Sequence, residues 1–178
     1  SLSQLSIACP TSGIVTAGAT WLGFGYTPSE PATTTYANAS SLAPFDALNG
    51  TWQEGGGALA YINGMHLQIA CALDEFPVCG SEDLLDVKRG KRNSTGNFSA
   101  YVPDLTLRAK FYAETESSLT FTLTDAASKS FQFHLPRIKY TGAKKPKAAG
   151  GTKTIGNYPF QVLYSSTFGY DLACIVSA

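Results

Sequence analysis

Methionine, histidine and charge are scarce in this chain, and each scarcity removes a class of function. Of its 178 residues one is methionine, two are histidine and 15% are charged. So few charged side chains exclude a disordered or coiled-coil chain, while 44% hydrophobic content at this length suffices for one substantial core. Thirteen basic and thirteen acidic residues cancel, so no summed positive charge is available to grip a phosphate backbone. No apolar run approaches the ~18 residues of a membrane span, and no basic-then-apolar signal segment opens the sequence. The cysteines Cys9, Cys71, Cys79 and Cys174 lack Cys-x-x-Cys spacing. Two of them continue alternating apolar runs (Leu5, Ile7, Cys9 and Leu67, Ile69, Cys71), which predicts buried free thiols, with one disulfide as the alternative.

Catalytic patterns are missing as well. His66 and His134 each fall mid-strand, on the face that alternation turns away from the core. Asp125 opens a turn and Asp104, after Pro103, caps a helix, so both carboxylates have local structural roles. Gly55-Gly-Gly57 is followed by no lysine, serine or helix start, which makes it a turn and not a phosphate cradle. No nucleophile elbow, zinc spacing or dinucleotide fingerprint occurs, and the reading is a non-enzyme without cofactor or metal. Asn-x-Ser/Thr triplets at Asn38, Asn49, Asn93 and Asn97 are ordinary composition in a chain rich in serine and threonine.

What is present is alternation. Leu119, Phe121 and Leu123 share one face and Thr120, Thr122 and Thr124 the other; Phe131, Phe133 and Leu135 repeat the pattern after a short turn, and Pro136 closes it. These six apolar residues form the core side of a hairpin. Further strands are expected at residues 2–9, 14–22, 50–54, 59–72, 93–102, 158–164 and 171–176, and a helix near 104–114, where Leu107 and Phe111 recur at helical spacing. The fold class is all-β with one flanking helix, a two-sheet sandwich or barrel. Residues 1–25 read as a strand hairpin, 26–42 as an extended linker low in charge, and 43–178 as the main β domain. The chain begins inside a strand pattern at Ser1, and its one methionine is Met65. Both features suggest the C-terminal part of a longer protein whose preceding domain is truncated here. Leu5-Ser-Ile-Ala-Cys9 recurring as Leu67-Gln-Ile-Ala-Cys71 hints at a duplication.

Several short patterns occur together in order: Pro44-Phe-Asp-Ala-Leu-Asn-Gly50, Thr95-Gly96, Lys110-Phe111 followed by Glu114-Thr-Glu116, Asp125, Leu135-Pro-Arg137 and Pro159-Phe-Gln161. In these, residues 43–176 resemble bacteriophage tail tube proteins. A turn glycine common in that family is absent from Asp125-Ala-Ala-Ser-Lys129. The resemblance implies a β-fold with a flanking helix, found in the virion tail and assembled in the host bacterial cytoplasm. Its subunits would form rings that stack into a conduit for DNA. Partners would be further copies of the chain, other tail proteins and DNA passing without specific binding, with no membrane. A trimer is expected if each full chain carries two such domains, a hexamer if one. Alternatives are a type VI secretion-like tube ring protein, and a carbohydrate-binding β-sandwich using Trp52, Tyr61 and Tyr170 as platforms.

Charge supplies the interface candidates. Glu82, Asp83 and Asp86 abut Lys88, Arg89, Lys91 and Arg92, an abrupt sign change suited to a neighbouring subunit. Lys144, Lys145, Lys147 and Lys153 form a second basic segment within Gly, Ala and Pro. A lumen must not hold its cargo, and a lysine-lined wall would bind duplex DNA through counterion release. The uncharged outward residues His66, Gln68, Asn97 and Ser99 are therefore the lumen candidates.

Overall fold

Period-two alternation governs the computed structural model, which describes residues 1–23, 44–45, 47–59, 61–81, 84–101, 106–125, 129–143 and 155–177. The expected linker at 26–42, the Asp104 cap, Glu82, Asp83, Lys144, Lys145, Lys147 and Lys153 lie outside the described residues. The elements are β1 (Leu2–Cys9), β2 (Thr16–Trp21), β3 (Gly50–Glu54), β4 (Gly57–Ala58), β5 (Ile62–Phe76), β6 (Asp86–Tyr101), α1 (Thr106–Tyr112), β7 (Ser117–Thr124), β8 (Ser130–Tyr140), β9 (Ile155–Val162) and β10 (Ala173–Ser177).

All ten strands belong to one antiparallel sheet in the order β2-β1-β5-β6-β9-β8-β7-β3-β4, with β10 beside β8. The sheet has two walls, β2-β1-β5-β6-β9 and β10-β8-β7-β3-β4. They join where β8 meets β9 through residues 138–140 only. At this corner Leu119 pairs with Leu135 but Ser117 with Ile138, so Pro136 and Arg137 together face one residue of β7. That is a β-bulge, the usual device for turning a sheet through a corner. It also corrects the expectation that Pro136 ends the strand. Proline has no N–H to contribute, and at a bulge the ladder is already broken. The extra residue resets the alternation, so Leu135 and Ile138 are both fully buried while Arg137 points out.

The two walls enclose a single core. Ile7 and Cys9 of β1, Met65 and Leu67 of β5, Phe98 of β6, Phe160 of β9 and Leu119 and Phe121 of β7 belong to one buried cluster, against which Leu107 and Phe111 of α1 pack. Beyond the corner the far ends of the sheet are tied together. The Val15 N–H donates to the Phe45 carbonyl at 3.0 Å and the Ala47 N–H to the Gly13 carbonyl at 3.2 Å, linking the β1–β2 turn to the segment that enters β3. The hairpin of β1 and β2 is hydrogen-bonded along β5, Ile7 opposite Leu67.

In the 118–140 hairpin, Leu119, Phe121, Leu123 and Leu135 are buried, whereas Phe131 and Phe133 are half-buried. Phe133 stacks on Phe121 at 4.7 Å and Trp52 on the same ring at 5.2 Å, a three-ring stack across β3, β7 and β8. Phe131 takes Phe45 edge-on at 5.1 Å. Their partial exposure follows from their β10 partners, Val176 and Cys174, which are exposed themselves. The cysteines divide likewise. Cys9 is buried, its thiol pushed up to about 11 by desolvation, and Cys71 is half-buried. The buried-thiol expectation thus holds for Cys9 and only in part for Cys71; Cys79 and Cys174, outside those alternating runs, are exposed, and all four are free.

Candidate assembly surfaces

Register places the outward side chains of the first wall in rows. Gly18, Ser6, Gln68, Thr95 and Gln161 lie side by side across β2, β1, β5, β6 and β9; Thr16, Ala8, His66, Asn97 and Pro159 form the next row, and Ser99 faces Asn157 beyond it. None of these side chains is an acid, a lysine or an arginine, and none is a large hydrophobe. The four lumen candidates His66, Gln68, Asn97 and Ser99 are thus brought onto one surface. The wall is kept regular from behind by Gly96. A Cβ there would lie 2.5 Å from the Phe160 ring and 2.8 Å from the His66 carbonyl, so only glycine lets that ring lie flat across β6.

The described interface candidates Asp86, Lys88, Arg89, Lys91 and Arg92 fall on the outer end of β6, the same strand that carries Asn97 and Ser99. Residues 82–92 read as a loop by hydrophobic pattern, yet 86–92 continue β6, paired with β5 out to Phe76 opposite Asp86. Periodicity misses this because both faces of the arm meet solvent and neither needs apolar residues. The arm is set off by a bulge between Cys71 and Leu73, where Gly90 packs against the Ala72 carbonyl. Asp74 pairs with Lys88, whose ammonium lies 4.9 Å over the Phe76 ring. Arg92 is tied down by an ion pair. Its guanidinium forms a two-pronged ion pair with Asp171, ahead of β10, and fixes the base of the arm.

Other charges are structural. Lys110 of α1 reaches both oxygens of Glu54, at 2.8 and 2.6 Å, and the Tyr140 hydroxyl donates to the same carboxylate at 2.9 Å. Burial, with the Glu54 charge adding to it, holds the Tyr140 hydroxyl far above the ordinary phenol range. Sequence reasoning missed Glu54, although a signal existed: it is in phase with Trp52, on the core side of β3. Arg137 grips Glu116 with two prongs, at 2.5 and 2.7 Å, and donates to the Tyr164 carbonyl at 3.1 Å. The Arg137 hydrogen bond lowers the Glu116 carboxyl, and the Lys139 hydrogen bond does the same for Glu114. Lowered carboxyls stabilise at neutral pH and lose that effect as pH falls through their range, weakly for pairs this exposed.

The histidines lie on opposite walls. His134 Nδ1 is 3.0 Å from the Tyr170 hydroxyl. Among the described residues no group of three or more His, Cys, Asp or Glu is placed to hold a metal, and no helix is long and apolar enough to cross a membrane. Trp52 gives its ring to the core stack and Tyr170 bonds outward to His134, so these two do not share a platform.

A family model described as "Phage tail tube protein" matches residues 1–162. Among solved structures, the chain is similar to the sheath/tube terminator of an extracellular contractile injection system, PVC, in its extended state. The identity is 13% and the TM-score 0.58, covering 78% of this chain and 100% of that one. It is also similar to the anti-feeding prophage cap, a tube terminating cap, at 9% identity and a TM-score of 0.55, covering 82% and 100%. No curated protein matches. At identities this low the structural likeness speaks for the fold alone.

Proposed function

The chain belongs to the phage tail tube protein family, and from that membership we propose that it is a ring subunit whose stacked rings form a conduit for DNA in the virion tail. The observation that carries this reading is the uncharged pair of rows on the first wall, from Gly18 to Gln161 and from Thr16 to Pro159. A surface with neither cations nor large hydrophobes gives a passing duplex nothing to hold, since retention of DNA by protein rests mainly on phosphate neutralisation. The second wall carries exposed aromatics near β10 and suits contact instead. Ring closure has a ready edge in β2, six residues without charge or proline, exposed throughout and, among the described residues, unpaired on one side. Such an edge is a template for a strand from another chain.

Electron microscopy of the concentrated protein should show rings or tubes with a central channel, and a monodisperse monomer would sink the reading. Gln68→Lys with Asn97→Lys places two cations per subunit on the first wall. Tubes of this variant should retain duplex DNA at low salt and release it as salt rises, while wild-type tubes retain none. Equal retention by both would place the lumen elsewhere.

The arm offers a separate check. Neutralising Lys88, Arg89 and Lys91 to glutamine should change the melting temperature little, because exposed charges contribute only about 0 to 1 kcal/mol each. Tube formation should nevertheless slow and lose part of its salt sensitivity, because every subunit repeats the contact. Wild-type kinetics in the triple variant would reduce these charges to a solvated surface.

A further inference from the structure

We infer that the tip of the β5–β6 arm of one copy seats on the aromatic surface formed by residues 164–176 of another, a contact that rests on the tube-subunit reading and names the partner of the arm. At the tip, Phe76, Val78 and Leu85 are exposed, gathered by a 2.9 Å hydrogen bond from the Leu85 N–H to the Phe76 carbonyl. A two-stranded hairpin projecting without a core behind it is marginal by itself. Its apolar end needs a cover.

The seat is a second group of exposed large apolar side chains, Tyr164, Phe168 and Ile175, in β10 and the turn ahead of it. It is already ordered. Ser165 and Tyr170 close the turn, the Gly169 N–H donates to the Ser165 carbonyl at 2.9 Å, and Arg137 holds the Tyr164 carbonyl. His134 meets Phe168 edge-on at 5.5 Å and bonds Tyr170. A pre-ordered seat loses little conformational entropy on docking.

Charge agrees with this pairing. Beside Lys88, which lies over the Phe76 ring, the tip carries three acids, Asp74, Glu75 and Asp86, all exposed, an excess of negative charge. Beside the seat, Arg92 has half of its side chain exposed, with Asp171 at 14% beneath it, so the pair presents its guanidinium outward. Arg137 is similarly open. The arm does not reach its own seat. Arg92 pins its base to Asp171, and the six residues of extended strand from Arg92 to Asp86 carry the tip about 20 Å away. Two different patches on one chain make a heterologous contact, which repeats from copy to copy around a ring or along a stack.

The exposed Cys79 at the tip provides the test. In a Cys174→Ser background, Phe168→Cys puts a second thiol on the seat. After assembly, diamide takes up the two electrons and two protons released as a sulfur–sulfur bond forms. Non-reducing gels should then show ladders of covalently joined copies, with the bond mapped between positions 79 and 168 and the ladder lost in Cys79→Ser. Separately, Leu85→Asp and Tyr164→Asp should each reduce stacking at least tenfold while leaving the melting temperature near wild type. Tubes that form normally in both aspartate variants, or that join only through Cys79 to Cys79, overturn the seat but leave the tube reading intact. A wild-type protein that forms neither rings nor tubes overturns both.

Discussion

Phe121→Ala should lower the melting temperature by about 10 °C or more, the largest loss expected from any single truncation in the hairpin. Removing a fully buried phenylalanine costs about 3 to 5 kcal/mol, and in a domain of this size each kcal/mol is worth about 2 to 4 °C. The side chain is fully buried at the centre of the Trp52–Phe121–Phe133 stack, so its loss unseats two neighbours as well. Phe133→Ala should cost distinctly less, because that ring is half-buried and touches the stack from one side. Thermal unfolding followed by near-ultraviolet circular dichroism compares the two directly. Equal losses would mean that the stack contributes nothing beyond each ring's own burial.

Lys110→Met should be comparably damaging for a different reason. It leaves the Glu54 carboxylate, 9% exposed, without its cation. Breaking one side of a buried pair costs about 3 to 5 kcal/mol, whereas removing both charges is often nearly neutral. Glu54→Gln combined with Lys110→Met keeps an acceptor for the Tyr140 hydroxyl and should recover most of the loss. Urea unfolding of the two variants measures the difference. If the double variant is no more stable than Lys110→Met, the damage lies in the packing of α1 and not in the stranded charge.

The strands that alternate against the core were legible in the sequence: β1, β3 and β7 fall at or within two residues of their expected bounds, and Leu119, Phe121, Leu123 and Leu135 are buried as alternation requires. Alternation failed where its cause was missing. The outer part of the β5–β6 arm has no buried face, so its residues carry charge and read as a loop. Pro136 hid the second half of β8, because a bulge depends on the partner strand and leaves no local pattern. Neither Glu54 nor the tie between Arg92 and Asp171 is local: each joins residues far apart in sequence, brought together only by the order of strands.

That order has a kinetic consequence. Ile7 meets Leu67 and Asn97 meets Pro159 across about sixty residues, and Trp52 meets Phe121 across about seventy. Chains dominated by such distant pairings fold slowly, because loop entropy is lost before the contacts compensate. The hydrogen bonds joining the β1–β2 turn to residues 45 and 47 require both ends of the sheet to be in place. A newly made subunit therefore spends time as an open sheet, with uncharged strand edges bare and its core face uncovered. Crowding of like chains in that interval favours misassociation, and the interval is set by topology. The edge of β2, unpaired among the described residues, is most of a hazard in the interval before the sheet first closes.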